Sequence, residues 1–267
     1  MSGLSSQGGR VVNKTAIEWC DRTLNPVFGC SHNCPYCYAR ERVAPRKASV
    51  CRACGDFRPH WHLERLADRE FRSKTPLRVM VPSCGELFDP VLYKWRGPGA
   101  FGEEGFSGLV DVAGAMRDAP QHTFIIPTKR PDIMADLWPR ALLRINKSSP
   151  LPNVHLGVSV TNQADADGRI LGLMQTRPAV RWVSYEPAHG RIRWETWLKR
   201  LPTTLRPTFD WLVIGAETGN RKGKIVPERE WIQSAVDECR EAGVPVFVKD
   251  NVVALYPEFA GIRELPK

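Results

Sequence analysis

Short runs of β-branched and apolar residues recur along this 267-residue chain, a few tens of residues apart, with longer amphipathic stretches between them. Runs at 77–82, 123–126, 154–160, 180–184, 211–214 and 244–248 read as strands, and an earlier one lies near 16–19. Strands separated by that much chain need crossover connections, and repeated crossovers make a parallel sheet. Helical character at 106–117, 165–175 and 228–242 supplies some of them; the last opens after Pro227 and stops at Gly243, as helix punctuation requires. The expected fold is α/β: a partial or near-complete parallel β/α (TIM-like) barrel of about six or seven strands. One such domain accounts for residues 1–267, with 43–75 and the glycine-rich 97–108 as insertions.

In a parallel barrel the carboxyl ends of the strands converge on one face, where ligands bind. The residues at those ends here are Glu18, Glu86, Lys129, Ser159, Glu186, Glu217 and Lys249. A polar group at corresponding places in successive units predicts one loaded mouth, although loops also begin with polar residues. Lys129-Arg130 is placed to grip a phosphate or carboxylate there. The formal charge of +9 admits a nucleic-acid or nucleotide partner, yet it is spread along the chain and serves a solvated surface equally well. No apolar run approaches a membrane span, and Met1–Val12 has no signal-like apolar core, so a cytoplasmic, reducing location is expected.

In that setting eight cysteines, seven of them in the first third, point to metal rather than disulfides. Cys30, Cys34 and Cys37 are separated by three and then two residues, with Gly29 turning the chain in and Pro35 stiffening it. Such thiolates can hold a cubane iron–sulfur cluster and leave one iron open; on spacing alone a zinc site serves too. The segment Cys30-Ser-His-Asn-Cys34-Pro-Tyr36-Cys37, with its aromatic before the last cysteine, resembles the signature of the radical S-adenosylmethionine superfamily.

That resemblance implies a β/α barrel whose cluster loop follows the first strand. It implies a [4Fe-4S] cluster at Cys30, Cys34 and Cys37 that binds S-adenosylmethionine, and an electron donor that reduces it. It places Tyr36 beside the adenine, Gly85 and Glu86 of Ser83-Cys84-Gly85-Glu86 at the methionine amino group, and Ser159 at the ribose. Gly215 would lie at the adenine strand, although the spacing to Glu217 is one residue short of the family pattern. Glu18, Lys129, Glu186, Glu217 and Lys249 are left to orient a substrate. From Thr15-Ala-Ile-Glu-Trp19 to Val246-Phe-Val-Lys249 the chain also resembles a phage- and prophage-associated branch of that superfamily.

Cys51-Arg-Ala-Cys54-Gly55 has the form of a zinc knuckle, and His60-Trp-His62 follows it. Two thiolates and two imidazoles complete a tetrahedral zinc site. A second iron–sulfur cluster, no metal, or a set drawing on Cys84 or Cys20 remain alternatives. Cys239 reads as packed in a helix, and Trp61, Trp95 and Trp138 as packing residues or stacking platforms. The rival function is a non-catalytic metal-binding module for nucleic acid or a phage or host protein. A zinc hydrolase is disfavoured, for no His-Glu-x-x-His occurs.

Overall fold

Strands covered on both faces must be apolar almost throughout, and the central strands of this computed structural model obey that rule: of the seven residues of Val154–Val160, His155 alone is not buried. The structure describes residues 13–67, 73–198 and 207–266. Met1–Val12, and residues 68–72 of the 43–75 segment, lie outside them. The strands are β1 (Asn13–Lys14), β2 (Arg22–Thr23), β3 (Val27–Phe28), β4 (His60–Trp61), β5 (Arg78–Met80), β6 (Thr123–Thr128), β7 (Val154–Val160), β8 (Val180–Tyr185), β9 (Trp211–Ile214) and β10 (Val246–Val248). The helices are α1 (Arg52–Gly55), α2 (Pro90–Tyr93), α3 (Glu103–Arg117), α4 (Pro131–Arg144), α5 (Gln163–Gln175), α6 (Glu195–Leu198), α7 (Arg229–Glu241) and α8 (Asp250–Val253).

One sheet runs in the order β1-β2-β5-β6-β7-β8-β9-β10. Strand β1 is antiparallel to β2, and the seven strands from β2 onward are parallel. This is a partial TIM-like barrel, as expected. Strands β3 and β4 form a separate antiparallel pair. Helices α3, α4, α5 and α7 bury their apolar faces against the outside of the sheet. Inside the curve, Trp19, Trp182 and Trp211 pack with Ile125, Val213 and Phe247. The Trp19 ring lies 5.3 Å from Trp182 and 5.9 Å from Trp211.

Several expectations need correcting. Residues 16–19 form no strand: β2 takes the first parallel position, because the Asp21 carboxylate accepts from the Arg78 N–H (2.7 Å) and fixes the register there. Trp19, freed from the ladder, fills the barrel interior. The 97–108 stretch is not wholly an insertion, since α3 starts at Glu103 and Gly105 packs so tightly that a Cβ would lie 1.9 Å from the Leu92 carbonyl. Helix α4 was not read at all. Pro131 occupies its first turn and Pro139 its interior, and proline inside a helix masks the pattern.

Candidate active site and a second Cys/His centre

At the carboxyl ends of the strands lies a cavity of about 920 Å³. The Cys30–Cys37 loop enters it directly after β3. Gly29, at φ +86°, turns the chain, and a Cβ there would meet the Arg58 carbonyl oxygen at 2.3 Å, so the position excludes any side chain. The loop is tied to the end of β5: the Gly29 N–H donates to the Cys84 carbonyl (3.1 Å) and the Glu86 N–H to the Gly29 carbonyl (3.2 Å). Asn25 reinforces this junction, its Oδ1 accepting from the N–H groups of Ser83 (2.8 Å) and Cys84 (2.7 Å). Asp89 holds the loop from the other side through the Ser31 N–H (2.6 Å).

Cys30, Cys34 and Cys37 line the cavity and are free thiols. The donor set fits a thiolate-bound cluster. The N–H groups of His32 and Arg40 point at the Cys30 and Cys37 sulfurs (3.3 and 3.4 Å), the kind of bond that tunes such sulfurs. Burial pushes the metal-free Cys30 thiol up to about 12, helped by the nearby Glu86 charge, so it is a bound metal ion that would hold it as thiolate. Tyr36 extends from the same loop, with its hydroxyl raised by burial and by Cys34. Its ring packs edge-on to His189 (5.0 Å) and faces the Lys129 ammonium at 6.0 Å.

Of the expected site residues, Tyr36, Gly85, Glu86, Lys129, Ser159, Glu186, Glu217 and Lys249 line this one cavity with the three cysteines. Glu86 is fully buried, and its carboxylate already accepts from the Thr128 hydroxyl (2.6 Å), the Lys129 N–H (2.9 Å) and the Phe88 N–H (3.1 Å). Burial nevertheless raises it above the usual carboxylate range. Gly85 runs beside Val27, whose carbonyl a Cβ would approach to 2.8 Å. Lys249 and Glu186 form an ion pair (2.6 Å). Burial works to lower the Lys249 ammonium, but the charge and hydrogen bond of Glu186, with Glu18 and Cys20, raise it overall. Glu217 is gripped by Arg221 through two bonds (2.7 and 2.9 Å) and by His189 (2.9 Å), and Arg221 above all holds it below the usual range.

Glu18 and Gly215 do not line the cavity. Glu18 accepts from the Asp250 N–H (2.7 Å) and from Arg263 (2.6 Å), joining the segment before β2 to the segments around β10. Gly215 makes room for Glu186, whose carboxylate would lie 2.8 Å from a Cβ. The residues that sequence reading missed act through partners: Asn25, His189, Arg221 and Arg263. Only Arg221 carried a signal, its spacing of four from Glu217. On the cavity floor Trp19 and Trp182 are buried, and their indole N–H groups have no partner among the described residues. Trp61 and Trp138 are packing residues, Trp95 packs beside the core and points its N–H at Asp136, and Cys239 is buried.

Beside the cluster loop stands a second centre. The donor atoms of Cys51, Cys54, His60 and His62 all lie within 4.8 Å of one another, so these four residues can hold a metal ion. Neither Cys84 nor Cys20 belongs to the group. Burial lowers the His62 imidazole, which favours the neutral ring that ligates.

Residues 14–252 match the family described as "Protein of unknown function (DUF5131)", and the chain belongs to that family. No curated protein matches it. Among solved structures it is similar to a cysteine-to-alanine mutant of spore photoproduct lyase with dinucleoside spore photoproduct, at 11% identity and a TM-score of 0.47, over 89% of this chain and 78% of that one. Among the described residues, no helix is long and apolar enough to cross a membrane.

Proposed function

We propose that this protein is a radical S-adenosylmethionine enzyme acting on a nucleic acid or nucleotide. The observation that carries the reading is that the three cysteines and eight of the polar, aromatic and glycine positions expected around them line one cavity at the carboxyl ends of the strands. A [4Fe-4S] cluster carrying S-adenosylmethionine, if bound at Cys30, Cys34 and Cys37 and given one electron by an external donor, would split that molecule into methionine and a 5′-deoxyadenosyl radical that takes a hydrogen atom from substrate. The chain's own residues bind and orient. Tyr36 offers a ring face to an adenine, Glu86 and Gly85 border the methionine side, and Ser159 the ribose side.

The Lys249–Glu186 pair and Lys129 are the groups placed to hold the substrate. Glu217 is satisfied by Arg221 and His189, and it stiffens the wall behind Tyr36. Because Glu186 and Glu217 are matched by cations, the charge of the cavity is set by Arg42, Arg46 and Lys129 against Glu41 and the buried Glu86. Tyr38, 58% exposed, stands among them. An exposed ring beside arginines suits stacked bases and their phosphates.

A non-catalytic metal-binding module would need no pair such as Lys249–Glu186 inside the cavity, held there against a desolvation cost. The test is anaerobic reconstitution with iron and sulfide. The wild type should take up about four irons per chain, and Cys30→Ala, Cys34→Ala or Cys37→Ala almost none at this site. Adding S-adenosylmethionine should change the electron paramagnetic resonance spectrum of the reduced protein. Full iron content in the alanine variants contradicts the reading, as does a spectrum indifferent to S-adenosylmethionine.

A further inference from the structure

The Cys51, Cys54, His60 and His62 group takes no part in the chemistry proposed above, yet it is built as a ligand set. Cys51 Sγ lies 3.4 Å from His60 Nε2; Cys54 Sγ lies 3.4 Å from His60 Nε2 and 3.2 Å from His62 Nε2. Zinc bonds of ordinary length at tetrahedral angles place sulfur and nitrogen about 3.6 Å apart. Both histidines are tied at the opposite ring nitrogen. His60 Nδ1 meets the Arg58 carbonyl (2.7 Å) and His62 Nδ1 meets Glu64 (2.8 Å). Those partners fix Nδ1 as the protonated nitrogen and leave both Nε2 atoms as electron-pair donors aimed at one point. The Cys54 N–H donates to the Cys51 sulfur (3.3 Å). Two thiolates and two imidazoles within reach of a single ion suit tetrahedral zinc rather than a cluster.

The centre is joined to the Cys30–Cys37 loop through the β3–β4 pair and the backbone bonds beside it. His60 and Trp61 pair with Phe28 and Val27, the residues that lead to Cys30, and the His62 N–H donates to the Pro26 carbonyl (2.7 Å). Between the cysteine and histidine positions lies Phe57, at φ +53°, a left-handed conformation that is unfavourable for a non-glycine residue. Its carbonyl accepts from the Cys30 N–H (3.3 Å). Its ring packs on Phe28 (5.7 Å) and under the guanidinium of Arg40 (4.9 Å), whose Nη2 in turn donates to the Cys30 carbonyl (2.8 Å). Two-residue strands do not hold themselves together in water, whereas a bound metal supplies folding energy.

We propose that Cys51, Cys54, His60 and His62 bind one zinc ion and that this ion sets the shape of the Cys30–Cys37 loop. Zinc binding releases the two thiol protons and involves no electron transfer. Only the second half of the proposal rests on the radical reading.

Zinc and iron are counted by elemental mass spectrometry on the full chain, before and after anaerobic reconstitution. The wild type should carry one zinc per chain. Cys54→Ser should lose the zinc and load at least several-fold less iron. His60→Cys in the wild-type background, which keeps four zinc ligands, should retain both. Cys34→Ala should lose iron and keep zinc. A folded wild type that binds no added zinc overturns the site. A zinc-free Cys54→Ser protein that loads iron fully, with an unchanged resonance spectrum, overturns the brace. Should circular dichroism show that variant unfolded, wild-type protein stripped of zinc by a chelator takes its place, and full iron loading again overturns the brace. A wild type that binds zinc but never iron removes the brace together with the radical reading and leaves the zinc site standing.

Discussion

Lys249 and Glu186 are both largely withdrawn from water in the cavity wall, and each is the other's principal charge partner. Removing one leaves a desolvated charge, so Glu186→Gln should cost about 1–3 kcal/mol of stability, read from denaturant melts, and weaken substrate binding besides. A change near zero would mean that the pair is solvated and free to part. His155, near the start of the mostly apolar strand β7, makes a separate prediction. Burial lowers its imidazole to about 4, with Asp210 opposing. Below the ordinary histidine value of about 6.5 the unfolded chain therefore binds a proton that the folded chain does not. Stability should fall by about 1 kcal/mol per pH unit as pH drops from about 6.5 toward 4, then level off. His155→Gln should flatten that slope in melts taken across the window.

Among the elements, the loop between β3 and α1 is constrained by contacts no sequence pattern announces. Gly29→Ala puts a Cβ 2.3 Å from the Arg58 carbonyl at a left-handed φ, so the variant should lose at least about 2 kcal/mol and load iron poorly. Normal melting and iron content in that variant would show that the loop can move away. Strands β7 and β9 were legible to the residue because each is a short run made mostly of buried apolar side chains. The two-residue strands β3 and β4 were not, for two residues carry no periodicity; they are defined by pairing with each other across the sequence. Cys51, Cys54, His60 and His62 were legible as one group from their spacing, since ligands must be specific atoms at specific separations, and Cys30, Cys34 and Cys37 were legible as residues of one cavity wall. Asn25 and His189 stayed hidden: a side chain that works by touching backbone or a neighbour far away in sequence has no local signature.

Across the whole molecule, the sheet is open between its first and last strands, and Glu18 spans that side. It ties the segment before β2 to Asp250 and Arg263 around β10. Reading Glu18 as one more strand-end ligand overlooked that a barrel that is not closed by hydrogen bonds has an edge to hold. Beyond β10, among the described residues, lies only the 262–264 segment, held by the Val248 N–H to the Ile262 carbonyl and the Glu264 N–H to the Val246 carbonyl (both 2.9 Å), and Arg263 within it is the residue Glu18 grips. Glu18→Ala should therefore speed amide exchange in β10 far more than in β7, which lies between β6 and β8; equal exchange in the two strands would refute the clamp. The mouth's charge acts at this scale too. Arg42→Glu with Arg46→Glu should weaken binding to a single-stranded oligonucleotide and flatten its salt dependence, while leaving iron content unchanged. Unaltered binding would move the substrate away from polyanions.

Cleavage of S-adenosylmethionine in the cavity is the most direct test of the proposed radical chemistry. The reconstituted protein would be given S-adenosylmethionine and dithionite without oxygen, and 5′-deoxyadenosine measured by chromatography. Product above the enzyme-free control that disappears in Cys34→Ala is expected. A protein with its four irons in place that forms none, with or without an oligonucleotide, would contradict that chemistry.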